Sequence, residues 1–191
     1  MRLLLDACVL YPTVMREVLL GAAAEGLFAP LWSARILEEW ARAAARLGPQ
    51  GEAVARGEIA SLRAAFPGAE VRVPEGAERR LWLPDPDDVH VLAAAVAASA
   101  DGIVTLNARD FPRGVLAEEG LWRVDPDSLL QGFAEARPAA MARVAQRSAA
   151  EAARLSGQEW TVRALLRKAR LTRLSKALAR QDQPPVRDLE A

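Results

Sequence analysis

An α/β domain with a mostly parallel sheet, followed by a helical extension, is the fold class this sequence predicts, and three observations predict it. Short apolar runs alternate with segments whose apolar residues recur at helical spacing. Two of the runs, Arg2 to Leu5 and Ile103 to Thr105, lead straight into loops that carry carboxylates. From Pro138 to Arg180 the chain is rich in Ala, Leu and Arg, and strand signals cease.

Taken in order, Arg2 to Leu5 reads as a buried strand, because a compact apolar run stops at Asp6 and a Tyr11-Pro12 break comes soon after. Val14, Val18, Leu19 and Ala22 have helical spacing up to Gly26, a residue suited to a helix C-terminus. Phe28 to Trp32 reads as a connecting segment. Ser33 is placed to cap a helix that carries Ile36, Leu37, Trp40, Ala44 and Leu47 and stops at Gly48-Pro49. A further helix covers about 52–66 before Pro67-Gly68, and Ala69 to Val73 alternates like a strand. Pro84-Asp85-Pro86 opens a periodic helix running to about Ala100, with Asp85 as its cap. After the strand at Ile103, Pro126 starts another helix, and the stretch from Pro138 to Arg180 holds two or three more. The expected domains are a catalytic-sized unit at 1–133, a helical region at 134–182 and a frayed tail at 183–191.

Composition narrows the chemistry. The chain has 191 residues, one cysteine, one histidine and no net charge. A lone Cys8 forms no intrachain disulfide, and a lone His90 speaks against a His-rich zinc site or a Ser-His-Asp triad. No apolar run suits a signal peptide or a membrane span, so the expected location is the cytoplasm. The charge is unevenly spread: residues 1–133 hold 13 basic and 19 acidic side chains, residues 134–182 hold 11 and 4. An acidic body thus carries a basic helical tail, which is either a solvated face or a surface for nucleic acid or a partner.

Helical geometry sorts the acids. In the helix after Pro86, Asp88 shares a stripe with Val91, Leu92, Ala95 and Val96. A carboxylate heading an apolar face needs a compensator, and a metal ion is one. Asp87 lies on the flank, and His90, about 200° from Asp88, should face outward. Glu39 borders the core face of its helix whereas Glu38 points away beside Arg42, so Glu39 is either a flanking glutamate or a ligand. Asp6 and Asp110 each come after a strand and gain force from company. Four carboxylates brought together repel one another unless hard cations join them, and an all-oxygen set suits Mg²⁺ or Mn²⁺.

Four stretches then match a known family: Leu4-Leu5-Asp6-Ala7-Cys8-Val9-Leu10-Tyr11-Pro12, Trp32-Ser33 through Glu38-Glu39-Trp40, Pro84-Asp85-Pro86-Asp87-Asp88 through Ala95, and Val104-Thr105-Leu106-Asn107-Ala108-Arg109-Asp110-Phe111-Pro112. In that order they resemble the PIN domain, more narrowly VapC-like toxins with an extra helical C-terminal region. The resemblance implies a three-layer α/β/α domain, a metal-dependent endoribonuclease, and Asp6, Glu39, Asp88 and Asp110 as catalytic metal ligands. Thr105 and Asn107 are candidates for orienting the acids or contacting phosphate, against a plain turn role. Arg16, Arg109 or the basic tail would hold RNA backbone. Cys8 departs from the family's usual Ser, Thr or Asn; a thiol is a poor hydrogen-bond partner for a hydrated Mg²⁺ site, so Cys8 is expected simply to pack, with metal affinity tuned differently. The implied partners are an RNA substrate, a cognate antitoxin protein and a second copy of the chain, with no membrane. The competing reading is a catalytically weak PIN-fold module acting through its helical C-terminal region. An aspartyl-phosphate phosphatase would require a second aspartate where Cys8 stands.

Overall fold

The computed structural model describes residues 1–48 and 50–181; the tail expected at 183–191 lies outside them. The described chain divides into two compact units, the first ending at Pro126 and the second starting at Asp127.

The first unit opens with β1 (Arg2–Leu5) and continues through α1 (Ala7–Leu10), α2 (Thr13–Ala24), β2 (Ala29–Ser33), α3 (Ala34–Ala45), α4 (Gly51–Ala65) and β3 (Glu70–Val71). Two 3₁₀ turns, Ala77–Arg80 and Pro86–Asp88, lead into α5 (Val89–Ala97), β4 (Gly102–Val104), α6 (Arg113–Glu118) and β5 (Trp122–Val124). The five strands form one parallel sheet in the order β3-β2-β1-β4-β5. Helices cover it as three α/β/α layers, with α5 packed on β1 and β2, and α2 and α3 on β2. Leu3, Leu4 and Leu5 are fully buried at the centre of the sheet. That near-continuous apolar run is what a parallel strand covered on both faces requires.

The strand order decides where a ligand can sit. From β1 the chain builds outward through β2 and β3, then returns to the other flank of β1 with β4 and β5. The reversal lies between β1 and β4, and an open parallel sheet binds ligands at the carboxyl ends of its strands at such a point. Asp6 comes directly after β1 and Thr105 directly after β4, so this crevice is where the expected acids stand.

Several local expectations hold and others need correcting. Ser33 caps α3, its Oγ accepting from the Ile36 N–H at 3.3 Å, and Asp85 caps the second 3₁₀ turn, accepting from the Asp87 N–H at 2.9 Å. The segment read as a connection, Phe28 to Trp32, contains β2. Pro30 obscures it by removing one backbone donor, but it sits in register with Leu3 and the strand persists. The helix expected to open at Pro86 starts as a 3₁₀ turn and becomes α-helical only at Val89. Buried residues then run without a break from His90 to Ala95, so α5 has no outward stripe over that stretch. Leu47, expected on the core face of α3, lies beyond the helix end and is exposed.

The second unit contains α7 (Pro126–Ala136, the junction falling within its first turn), α8 (Pro138–Ser156), α9 (Val162–Lys168) and α10 (Thr172–Gln181). Gly157, in the left-handed region at φ 65°, ends α8, and Thr161 caps α9 by accepting from the Ala164 N–H at 3.2 Å. The exposed start of α10 is satisfied from a distance. Asp127 accepts from the N–H groups of Arg173 at 2.8 Å and Leu174 at 3.0 Å, which ties α7 to α10. The expected boundary at 133 falls near the end of α7; the division of contacts falls within that helix's first turn.

Candidate active site

Asp6 is 6 % exposed at the end of β1. Its Oδ2 accepts from the Thr105 hydroxyl at 2.7 Å and from the Cys8 thiol at 3.0 Å. Both donors are fixed in turn. Thr105 Oγ1 accepts from the Asn107 N–H at 2.9 Å, and Cys8 Sγ accepts from the Leu106 N–H at 3.2 Å. Cys8 therefore does more than pack, contrary to the expectation from its poor hydrogen-bonding chemistry: it stands where a hydroxyl would and donates to the acid. Burial, with the Asp6 charge beside it, pushes the thiol's pKa up to about 12, so it keeps its proton and remains a donor.

The 3₁₀ turn supplies the next acids. Asp85 caps this turn and Asp88 closes it three positions later, a spacing that leaves the two side chains on the same side. Asp110, from the loop after β4, joins them: one carboxylate oxygen of each of Asp85, Asp88 and Asp110 lies within 4.8 Å of the others. Asn107 Nδ2 donates to Asp88 Oδ2 at 3.1 Å and orients it. Partial burial, then the charges of Asp6, Asp85 and Asp110, raise the pKa of Asp88 to about 6, with His90 pulling weakly the other way. Asp88 thus shares ligand distance with Asp85 and Asp110 and feels the charge of Asp6 besides, a repulsion that a divalent cation would relieve.

Asp85 is the member that sequence reasoning leaves out. Read from the sequence it is a cap, a role its Oδ1 fills, but the same side chain also enters the cluster. The signal that finds it is the Pro-Asp-Pro-Asp-Asp spacing read with a three-residue period.

Glu39 is placed differently from Asp6, Asp88 and Asp110. It is 36 % exposed, with Arg35 at 3.7 Å, and its Oε1 lies 2.7 Å from His90 Nε2. The described acids within ligand distance of one another include neither it nor Asp6, although Asp6 lies close enough to raise the pKa of Asp88. His90 is 3 % exposed rather than outward-facing, because α5 is buried on nearly every side after its 3₁₀ start. Its contact with Glu39 is off the line of an N–H···O bond, and Nδ1 has no partner among the described residues. The imidazole also lines a cavity of about 450 Å³ with Ser33, Arg35, Arg72 and Val73, beside the ends of β2 and β3.

Of the cations expected to hold RNA, Arg109 is exposed next to Asp110. Arg16 is not available: it is 2 % exposed, donates to the Leu10 carbonyl at 2.7 Å, pairs with Glu58 at 2.9 Å and lies 4.4 Å from the Trp40 ring centroid. Its helix turns it inward, where carbonyl, carboxylate and ring together offset the burial of its charge. Among the described residues no helix is long and apolar enough to cross a membrane.

No curated protein and no solved structure is similar enough to the chain to match. The family model described as a PIN domain matches residues 2–109, a stretch that carries Asp6, Glu39, Asp85 and Asp88 and stops one residue short of Asp110. PIN domains typically use divalent metals, and the Asp85, Asp88 and Asp110 carboxylates are close enough together to share one. With more than half of its length matched, on a sheet whose reversal point gathers those acids, this chain belongs to the PIN-domain family of nucleases.

Proposed function

We propose that this protein is a metal-dependent endoribonuclease that hydrolyses RNA phosphodiester bonds, and that it is the toxin of a toxin–antitoxin pair. The observation that carries the catalytic part is the convergence of Asp88 with Asp85 and Asp110 beside Asp6, at the edge where a parallel sheet binds its ligand. The all-carboxylate donor set favours Mg²⁺ or Mn²⁺. When bound, such an ion supplies Lewis-acid activation of water and neutralises charge developing on the phosphate.

The chain's own residues prepare that chemistry. Thr105 and Cys8 hold Asp6 in one rotamer, Asn107 holds Asp88, and Arg109 offers a cation beside Asp110 for the approaching backbone. Glu39 is assigned as a further ligand from the rim, its carboxylate 2.7 Å from His90, two residues after Asp88 in the sequence. No side chain is needed as nucleophile.

Cleavage of total RNA by the purified protein, with Mg²⁺, with Mn²⁺ and with EDTA, tests the activity. Discrete fragments that vanish on chelation and in Asp88→Asn support it; cleavage unchanged by both refutes it. The toxin reading predicts a small inhibitory protein encoded beside this one, acting in the cytoplasm, that abolishes cleavage on mixing; a neighbour with no such effect removes that part. Sedimentation of the purified chain reads the proposed homodimer directly. The basic helices of the second unit favour one alternative, a weak enzyme acting through that region, and full loss of function in Asp88→Asn would dismiss it.

A further inference from the structure

We propose that a cleft between α9 and α10 grips the sugar–phosphate backbone of single-stranded RNA, apart from the acids that cut it. The cleft has a volume of about 610 Å³ and lies wholly within the second unit. Arg163 and Arg167 line it from α9, Lys176 and Arg180 from α10, and Thr172, Ser175 and Ala179 complete the wall. Each cation pair is spaced four residues apart, so both helices turn a row of positive charge toward the same space.

Among the described residues the lining contains four cations and no carboxylate, in a chain with 25 of each sign overall. None of the four makes an ion pair among the described residues. Some exposed arginines elsewhere pair, Arg56 with Glu38 and Glu52, Arg63 with Glu70, Arg80 with Glu119 and Arg154 with Glu151, while others such as Arg46 and Arg113 stand singly among the described residues rather than converging on a concavity. Unpaired like charges converging on a concavity repel one another, and a polyanion removes that cost. Guanidinium forks match phosphate oxygens in pairs; the Thr172 hydroxyl already donates to Asp127 at 3.3 Å and Ser175 is buried, so the cations carry the recognition. Because no aromatic or branched apolar side chain among the described residues lines the cleft, its described wall lacks the anchors that usually dominate protein–protein docking. Backbone phosphate is the ligand chemistry that fits. Only the choice of RNA as the polyanion rests on the nuclease reading.

The test is binding of a fluorescein-labelled 12-nucleotide single-stranded RNA to the full chain in EDTA, measured by anisotropy over a range of salt concentrations. Each phosphate contact contributes about 0.7 to the slope of log affinity against log salt. Arg167→Ala with Lys176→Ala should therefore lower the slope by about 1.4 and weaken binding about 25-fold at ~0.1 M salt. Arg42→Ala with Arg154→Ala, removing equal charge from ion-paired sites, should leave both quantities unchanged. Wild-type affinity and slope in the first variant would overturn the proposal. So would an equal loss in the second, which would mean net charge alone is being read. A labelled glutamate peptide that loses binding in the first variant while RNA does not would overturn it in favour of an acidic protein partner. Because EDTA prevents cleavage, salt-dependent binding by a chain that never cuts RNA would sink the nuclease reading and leave the cleft, whereas normal cutting with an unchanged slope would do the reverse.

Discussion

Replacing Asp88 by Asn should make the metal-free protein more stable while destroying its proposed activity. Asp88 titrates at about 6 instead of 3.8 because burial and three neighbouring carboxylates oppose its ionisation. A carboxyl whose folded pKa is raised favours the fold while protonated, so this contribution is intact below pH 3.8 and is lost as pH rises through about 6. The shift corresponds to a ceiling of roughly 3 kcal/mol at 1.36 kcal/mol per pH unit. Asp88 is only partly buried, and solvent screening reduces the expected gain to about 1 kcal/mol. Asn is nearly isosteric and its Oδ1 still accepts from Asn107, so the local geometry survives. For a unit of this size the gain is about 3–5 °C in melting temperature. Thermal unfolding monitored by circular dichroism, in EDTA at pH 7.5, should show it, and the advantage should shrink as pH falls toward 4. Saturating Mn²⁺ should reverse the order, since a ligand at a hundred times its Kd stabilises the wild type by about 2.7 kcal/mol and the variant by less. An Asp88→Asn protein that melts at or below the wild-type temperature in EDTA at pH 7.5 would refute the reasoning, because the acids would then not be in conflict.

Cys8→Ala removes a donor from Asp6 and should weaken Mn²⁺ binding about tenfold by calorimetry, whereas Cys8→Ser should stay within about twofold; equal effects would deny the thiol its donor role. The same thiol should react slowly with Ellman's reagent in the folded protein at pH 8 and rapidly once unfolded. Arg16→Ala should cost about 3 kcal/mol in urea unfolding and Arg16→Met less, since Met keeps the packing on Trp40; a cost under about 0.5 kcal/mol for Ala would contradict the buried network. Glu39→Gln should lower kcat and Glu38→Gln should not, because Glu38 is already committed to Arg42 and Arg56 at the surface; equal kcat in the two variants would remove Glu39 from the site.

How far the sequence discloses this site depends on which residues report their own surroundings. Leu3 to Leu5 ending at Asp6, and the Ser33 and Asp85 caps, are legible because a local rule and the tertiary structure agree there. β2 is hidden because Pro30 breaks the local rule while pairing with β1 on one side and β3 on the other sustains the strand. Asp85 goes astray because one side chain both caps the turn and enters the cluster, and His90 because α5 is buried without a break from His90 to Ala95. Arg16 carries no sequence mark of burial. Its pairing with Glu58 and Trp40 joins elements far apart in the chain, which periodicity cannot see.

The position of β1 between β2 and β4 has a consequence for when this protein can act. During synthesis the N-terminal segments emerge first, yet one edge of β1 has no partner until residues 102–104 are made, and Asp110 comes later still. The donors to Asp6 and Asp88, Thr105 and Asn107, belong to the same late segment. A nascent chain that has produced only β1 to β3 therefore holds Asp6 without its hydroxyl donor and without the cluster, and such non-local pairing is slow to form. Nuclease chemistry at this site is thus deferred until most of the first unit has left the ribosome, a safeguard that strand order alone provides.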